Sequence, residues 1–238
     1  MSGCCDPSAY RATFSAREAE RAARSFERRG LDSAAGPMIG ALARGGLEGR
    51  TVLEVGAGVG TAVVALVKSG AERSVAVDIS PEYRVEAERL FRRHAISDRV
   101  ELVTGDITQT TSVGEADVVF LNKVICCYPD APALLEAVTS RTVDRLAMSF
   151  PRRRLLVRVV FGLVNLGQRL RRNSFRVFVH PPDELKAGVE AAGLRSVASG
   201  RTPVWEWHVW ERPAGRASRC DQVSNADSAS MDRPRRSR

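Results

Sequence analysis

Short apolar runs alternate with longer amphipathic stretches along most of the chain. Five runs are rich in valine and leucine and bounded by turn residues, a pattern typical of buried strands. They occupy residues 51–55, 74–78, 100–104, 116–121 and 145–150. Helical spacing follows at residues 61–69, 81–94 and 133–140. This alternation predicts a parallel sheet with helices on both faces.

The pattern changes near the C-terminus. A helix is predicted over residues 181–192, closed by Gly193, and two strands follow at residues 194–199 and 204–212. Because only four residues join these strands, they must run antiparallel. The expected fold class is therefore α/β, with a seven-stranded, mostly parallel, doubly wound sheet and a C-terminal antiparallel hairpin.

The chain divides into three parts by composition. Residues 1–30 form a helical arm, whose Ala-, Glu- and Arg-rich helix at Ala16–Arg29 ends at Gly30. Residues 31–212 are expected to be one α/β domain that opens with a helix over residues 33–44. Residues 213–238 are rich in Ser, Asp, Arg and Pro, and are expected to be a disordered tail.

The formal net charge of +8 is unevenly distributed. Eight arginines and no acidic residue lie between residues 152 and 176, within an insertion at residues 151–180 that is placed to cover a substrate. Residues 151–172 could be a core-packing helix, a membrane-surface helix anchored by arginines, or a basic cover over an acidic substrate. Gly162 and Gly167 argue against one continuous helix.

Five cysteines occur as two adjacent pairs plus Cys220. This usage is unlike a secreted disulfide framework, and neither pair has the C-x2-C spacing of a metal site, so we expect no metal. No apolar run reaches the ~18 residues that cross a bilayer, and the first residues lack a signal peptide's pattern. A cytoplasmic protein is expected, with peripheral membrane contact through residues 151–172 as an open alternative.

A glycine-rich turn follows the first strand and opens a helix. Its sequence is Glu-Val-Gly-Ala-Gly-Val-Gly-Thr at residues 54–61. Glycines there let the backbone turn sharply and let a ligand approach closely. A dinucleotide fold would need its third glycine at position 61, where this chain has Thr61.

The pattern E-x-G-x-G-x-G instead resembles the first motif of the class I S-adenosylmethionine-dependent methyltransferases. The resemblance implies that Glu54 lies near the ammonium group of the cofactor's methionine. It also implies a cofactor-binding turn formed by Gly56, Ala57, Gly58 and Gly60.

Acidic residues end the next two strands. Asp78 is placed to accept hydrogen bonds from the ribose hydroxyls, as in both methyltransferases and NAD-binding folds. The resemblance makes Asp106 the partner of the adenine amino group, with Ile79 and Ile107 as its apolar walls. It also places Asn122, at the end of the fourth strand, beside the transferable methyl group.

A narrower resemblance rests on the Tyr-Pro step at residues 128–129, on the N-terminal aromatic residues Tyr10 and Phe14, and on the layout of residues 151–182. Over about two thirds of the chain these features resemble the magnesium-protoporphyrin O-methyltransferase-like branch. The porphyrin enzymes tend to have a histidine before the Tyr-Pro step, and this chain has Cys127. That departure puts a porphyrin substrate in doubt more than it does methyl transfer.

Methyl transfer from a sulfonium needs mainly alignment of the nucleophile with the methyl group. A carboxylate acceptor is ionised at neutral pH, whereas a hydroxyl or amine would need a base. Of the three histidines, His180 is the best placed to touch substrate. The alternative for His180 is a role at the entry of the helix that follows it. Cys127 and Tyr10 complete the expected catalytic set, with Tyr10 either an aromatic lid over the site or an ordinary packing residue.

The predicted function is O-methylation, with S-adenosylmethionine, of a small apolar or carboxylated molecule. Two alternatives remain: a protein that binds S-adenosylmethionine without catalysis, and an NAD-type oxidoreductase. Specific nucleic-acid binding is not expected, since the fourth strand lacks an Asn-Pro-Pro-Tyr or Asp-Pro-Pro-Tyr motif. The sequence leaves the oligomeric state open.

Overall fold

Within the described part of the chain, seven strands form one sheet. They are β1 (Thr51–Val55), β2 (Arg73–Asp78), β3 (Val100–Thr104), β4 (Ala116–Leu121), β5 (Thr142–Pro151), β6 (Arg195–Arg201) and β7 (Trp205–Glu211). Their order across the sheet is β3-β2-β1-β4-β5-β7-β6. The first five strands are parallel, and β7 runs antiparallel between β5 and β6. The predicted fold class is confirmed.

Seven α-helices accompany the sheet in the part of the chain that is described. They are α1 (Ala16–Arg29), α2 (Ala35–Arg44), α3 (Thr61–Lys68), α4 (Arg84–Arg93), α5 (Ala131–Thr139), α6 (Leu155–Leu170) and α7 (Pro182–Ala191).

The structure is a computed structural model that describes residue 10 and residues 13–213. The expected disordered tail lies outside the described residues except for Pro213, as do residues 1–9, 11 and 12 of the helical arm.

The core lies on both faces of the sheet because alternate residues of each strand point in opposite directions. Leu53 and its like-facing neighbours pack with α5 and α7 on one face. Val52 packs on the other face with α2 and α3. Helices α1 and α4 share a further apolar cluster with α3. This arrangement leaves the carboxyl ends of β1 to β4 together at one edge.

The insertion differs from expectation in two respects. Helix α6 is continuous through Gly162 and Gly167, although each glycine disfavours a helix by about 1 kcal/mol. The core-packing alternative for this helix is also wrong, because Val157 is its one buried residue. Residues 175–179 return as extended chain without strand pairing, and Phe178 donates its N–H to the carbonyl of Cys126.

Strand and helix ends differ from the predictions by a few residues. β5 begins at Thr142, three residues earlier than expected, because Thr142 pairs with Ala116 of β4. The helix predicted from residue 81 starts as a 3-10 turn at Pro81–Tyr83. Within the described residues, no helix is long and apolar enough to cross a membrane.

Candidate cofactor-binding site

A cavity of about 390 Å³ opens at the carboxyl ends of β1 to β4. Ten of the residues predicted for the site line it: Tyr10, Gly56, Ala57, Gly58, Asp78, Ile79, Asp106, Ile107, Asn122 and Cys127. Three others, Glu54, Gly60 and His180, do not line it. The sequence motifs therefore converge on a single space, which is large enough to enclose much of a nucleoside.

The glycine turn has a left-handed backbone at each of its glycines. Gly56, Gly58 and Gly60 have φ of 66°, 56° and 74°. A methyl group at Gly60 would lie 2.4 Å from the Phe91 ring, and one at Gly56 would lie 2.4 Å from Val124. At Gly58 it would meet no non-neighbouring atom of the described residues within 4 Å. Two glycines are therefore required for packing, whereas Gly58 faces the open cavity, where a ligand can approach the backbone.

Asp78 anchors this turn from the end of β2. Its Oδ2 accepts the N–H of Gly58 at 2.7 Å, and its Oδ1 accepts the N–H of Ser80 at 2.8 Å. Burial raises the pKa of the Asp78 carboxyl despite these two bonds. Each carboxylate oxygen keeps a further lone pair for a hydroxyl donor. The carboxylate is thus held ready for the vicinal hydroxyls of a ribose.

Glu54 lies behind the glycine turn. It is buried, and its Oε2 accepts the N–H of Val63 in the first turn of α3 at 3.0 Å. Burial raises the pKa of Glu54 well above 4.5, and the nearby charge of Asp78 raises it further. The predicted contact with an ammonium group would need Glu54 to act through the turn, since it does not line the cavity.

Asp106 is held by residues on both sides. Its Oδ1 accepts the backbone N–H of Thr108 at 2.9 Å, and its Oδ2 accepts the hydroxyl of Tyr128 at 2.9 Å. The two isoleucines predicted as apolar walls, Ile79 and Ile107, line the same cavity. An oriented acceptor between two apolar side chains suits a flat base with an exocyclic amino group.

Part of the sequence is similar to known methyltransferases. Residues 52–143 match the family model described as a methyltransferase domain. The chain is 34% identical over 76 residues to the ribosomal protein L11 methyltransferase of Enterobacter sp. (strain 638), a match covering 32% of this chain and 25% of that protein.

Among the solved structures that share the fold are the following two. One is the magnesium protoporphyrin IX methyltransferase of Synechocystis PCC 6803 with bound S-adenosylhomocysteine, with a TM-score of 0.70, 21% identity, and coverage of 87% of this chain and 100% of that one. The other is an O-methyltransferase family protein from Burkholderia thailandensis, with a TM-score of 0.64, 19% identity, and coverage of 87% and 63%.

Residues 52–143 thus match a methyltransferase domain, and the chain shares the fold of the class I S-adenosylmethionine-dependent methyltransferases. The matched region spans about a quarter of the length of the curated relatives. The residues around the cavity fit the cofactor of this class, because Gly58, Asp78 and Asp106 present an open backbone, a hydroxyl acceptor and an amino-group acceptor in order along the sheet edge.

A polar network surrounds the end of β4. Asn122 donates to Asp32 at 2.7 Å and accepts from the hydroxyl of Ser149 at 2.8 Å. Lys123, which has φ of 62°, lines the cavity, and its Nζ lies 3.2 Å from Asp32 and 5.4 Å from the centre of the Trp205 ring. The sequence predicted Asn122 here but missed Lys123 and Asp32. The one available signal was that Asp32 precedes a helix, as an N-terminal cap does.

An aromatic wall closes one side of the cavity. Tyr10 packs against Phe14 and Phe175, with ring centres 5.9 and 5.4 Å apart. The hydroxyl of Tyr10 also donates to the carbonyl of Cys127. Tyr10 thereby joins this wall to the turn after β4.

The structure places two of the three predicted catalytic residues at the cavity and the third outside it. Tyr10 and Cys127 line the cavity, whereas His180 stacks on Phe178 and its Nε2 donates to the carbonyl of Tyr128 at 2.9 Å. His180 thus supports the Tyr-Pro step from outside the cavity. Cys126 is buried behind Cys127, and its pKa is raised well above 9.0 by a hydrogen bond with that neighbour and by burial.

Proposed function

We propose that this methyltransferase transfers a methyl group from S-adenosylmethionine to an oxygen of a small apolar or carboxylated molecule. The observation that carries the proposal is that four successive strand ends present the glycine turn, Asp78, Asp106 and Asn122 around one cavity. S-adenosylmethionine supplies an electrophilic methyl group on its sulfonium. The chain's task is then to hold the donor and to bring an acceptor into line.

The protein residues divide this work by position. Asp78 and the backbone at Gly58 would hold the sugar, while Asp106 with Ile79 and Ile107 would hold the base. Asn122, at the next strand end, is fixed by its own hydrogen bonds and would lie nearest the transferred group. Since these groups are oriented by protein contacts, binding would cost little reorganisation.

The ionisable residues of the cavity favour a carboxylate acceptor. Among the described residues that line it there is no histidine, and burial with the charge of Asp78 raises the pKa of Tyr83 to about 12, too high for a base at neutral pH. A carboxylate needs no base, because it is already ionised at pH 7. Lys123 supplies a cation at the cavity that could exchange Asp32 for the acceptor's carboxylate.

The fold relative that acts on a magnesium porphyrin gives limited guidance on the acceptor. Its sequence is 21% identical to this chain, a level of similarity that supports a shared fold but not a shared substrate. The cavity here has Cys127 immediately before the Tyr-Pro step, where the porphyrin enzymes tend to have histidine. The acceptor is therefore proposed as a class, a small apolar or carboxylated molecule.

The test is transfer of a labelled methyl group from S-adenosylmethionine to a panel of aryl and fatty carboxylic acids, with phenols and amines for comparison. The expected product is a methyl ester, recognised by its release of methanol in mild alkali. Asp78→Ala would serve as the background control. Binding of S-adenosylhomocysteine without turnover on any acceptor would leave a binding protein and overturn the proposed activity.

A further inference from the structure

Helix α6 exposes a broad apolar face. Six large apolar side chains fall within about 100° of arc on the helical wheel and are exposed to solvent: Leu155, Leu156, Val159, Leu163, Leu166 and Leu170. Leu155 and Leu170, at opposite ends of the helix, are 77% and 78% exposed. A contiguous face of this kind is unusual on a soluble monomer and marks an interaction surface.

The opposite side of α6 is held against the protein. Val157 is buried, and the Phe161 ring lies 6.3 Å from that of Trp205. The side chain of Asn165 donates to the carbonyl of Val177 and accepts its N–H, both at 2.8 Å. These contacts fix which side of the helix faces outward. The apolar face is therefore presented by a fixed orientation of the helix.

The charge around this face is of one sign. Arg153 and Arg154 precede the helix, Arg158 and Arg169 lie beside the apolar arc, and Arg171 follows, all of them exposed. No acidic residue lies between residues 152 and 176. A second copy of this chain would bring the same arginines together, and residues 213–238 carry six arginines against three aspartates. A second copy and the chain's own residues 213–238 are therefore both disfavoured as partners of this face, because like charges would repel.

We propose that α6 docks in the plane of an anionic membrane surface, with its leucines and valines below the headgroups and its arginines among them. An amphipathic helix with a broad apolar face and basic flanks binds in this manner. Each arginine close to an anionic bilayer strengthens binding about fivefold, and this attraction falls with ionic strength. The proposal concerns binding alone and stands apart from the proposed methyl transfer.

The test is flotation of the full chain with vesicles of phosphatidylcholine alone or with roughly one third phosphatidylglycerol. Val159→Asp is the test variant, and Val85→Asp is its matched control, because the two valines lie on helices and are 50% and 54% exposed. We expect the wild type and Val85→Asp to float with anionic vesicles. Val159→Asp should bind about tenfold less, and thermal unfolding should show that both variants remain folded.

A second variant tests the charge. Arg158→Gln with Arg169→Gln should weaken binding more than tenfold, whereas Arg92→Gln on α4 should leave it unchanged. Raising NaCl from about 0.1 to about 0.5 M should release the wild type. Equal flotation of Val159→Asp and wild type would overturn the proposal. So would a wild-type dimer that does not float and that Val159→Asp converts to monomer, since a second copy would then cover the face.

Discussion

The carboxylate of Asp78 accepts the backbone N–H of Gly58, with Oδ2 2.7 Å from the nitrogen. This bond joins the end of β2 to the glycine turn after β1, so that the two parts of a nucleoside site are fixed relative to each other. Ser80 holds the other carboxylate oxygen. The hydroxyl acceptor is therefore oriented by the protein itself.

Replacing Asp78 tests this acceptor. Asp78→Ala should weaken the binding of S-adenosylhomocysteine by about 1.5–3 kcal/mol, the range expected for hydrogen bonds to a charged group. Isothermal titration calorimetry would measure the loss. Asp98→Ala, at an exposed aspartate in the 3-10 turn Ser97–Arg99, is the control and should bind as wild type. An unchanged dissociation constant in Asp78→Ala would remove this residue from the site.

The glycines of the turn should respond differently to alanine. Gly60→Ala forces a methyl group against Phe91 at a left-handed φ and should destabilise the fold by about 2–4 kcal/mol. Gly58→Ala also places a side chain at a left-handed φ, but beyond its chain neighbours its methyl group meets no atom of the described residues within 4 Å. It should therefore lower the free energy of unfolding by only about 1–2 kcal/mol. Urea unfolding would give both values.

Gly58→Ala should also affect cofactor binding. Calorimetry should show Gly58→Ala losing most of its affinity for S-adenosylhomocysteine while staying folded, because its methyl would occupy the ligand's approach to the backbone. A Gly58→Ala protein that binds as tightly as wild type would contradict the proposed position of the cofactor.

Glu54 should make stability depend on pH. Its pKa in the folded chain is raised by burial above the unfolded value of about 4.3, so the folded state binds the proton more tightly. The contribution is fully present below the unfolded pKa and is lost as pH rises through the folded pKa. The Tm of the ligand-free wild type should therefore fall from pH 5 to pH 8 more steeply than that of Glu54→Gln.

Glu88→Gln, which alters an exposed carboxylate paired with Arg84, is the control and should keep the wild-type slope. Some slope should persist in Glu54→Gln, because burial also raises the pKa of Asp78. Parallel melting profiles for wild type and Glu54→Gln would show that Glu54 is not the titrating group.

The aromatic wall should govern retention of the cofactor. Phe175→Leu removes the edge contacts with Tyr10 and Phe14 and should speed release of S-adenosylhomocysteine by about tenfold, since each aromatic pair contributes about 0.5–1.5 kcal/mol. Stopped-flow displacement would measure the rate. Phe161→Leu, on α6 and away from this wall, should release at the wild-type rate.

Lys123 should select for a charged acceptor. Lys123→Gln should raise the KM for a carboxylate about tenfold or more, because a charge-assisted hydrogen bond contributes about 1.5–3 kcal/mol. The KM for S-adenosylmethionine should change little. Lys68→Gln, at the end of α3, is the control. An equal rise for charged and uncharged acceptors would assign Lys123 to general packing instead.

Local signals carried most of the fold. The apolar run at residues 51–55, the turn at residues 54–61 and the short link before β7 are each contiguous in sequence, so periodicity and glycine placement predict them. The acidic residues Asp78 and Asp106 could be placed in the site because parallel strands bring their carboxyl ends to one edge.

The remaining contacts join distant positions and had no local signal. Tyr10 reaches a carbonyl 117 residues away, and Asn122 reaches Asp32 across 90 residues. Such pairs depend on how whole elements pack, which propensity does not encode. His180, predicted as the histidine best placed to touch substrate, does not line the cavity, and its sequence position gives no sign that its ring turns toward the Tyr128 carbonyl.

The chain between the end of α6 and the aromatic wall is short. Leu170 ends the helix and Phe175 packs on Tyr10, so five residue steps of at most about 3.6 Å each separate them. The connecting chain from Leu170 to Phe175 can therefore span at most roughly 18 Å, which is less than the ~30 Å thickness of a bilayer's hydrocarbon core. If α6 rests on a membrane, Phe175 of the aromatic wall stays within that distance of the lipid-bound helix, and an acceptor dissolved in the leaflet would have a short path to the cavity beside it.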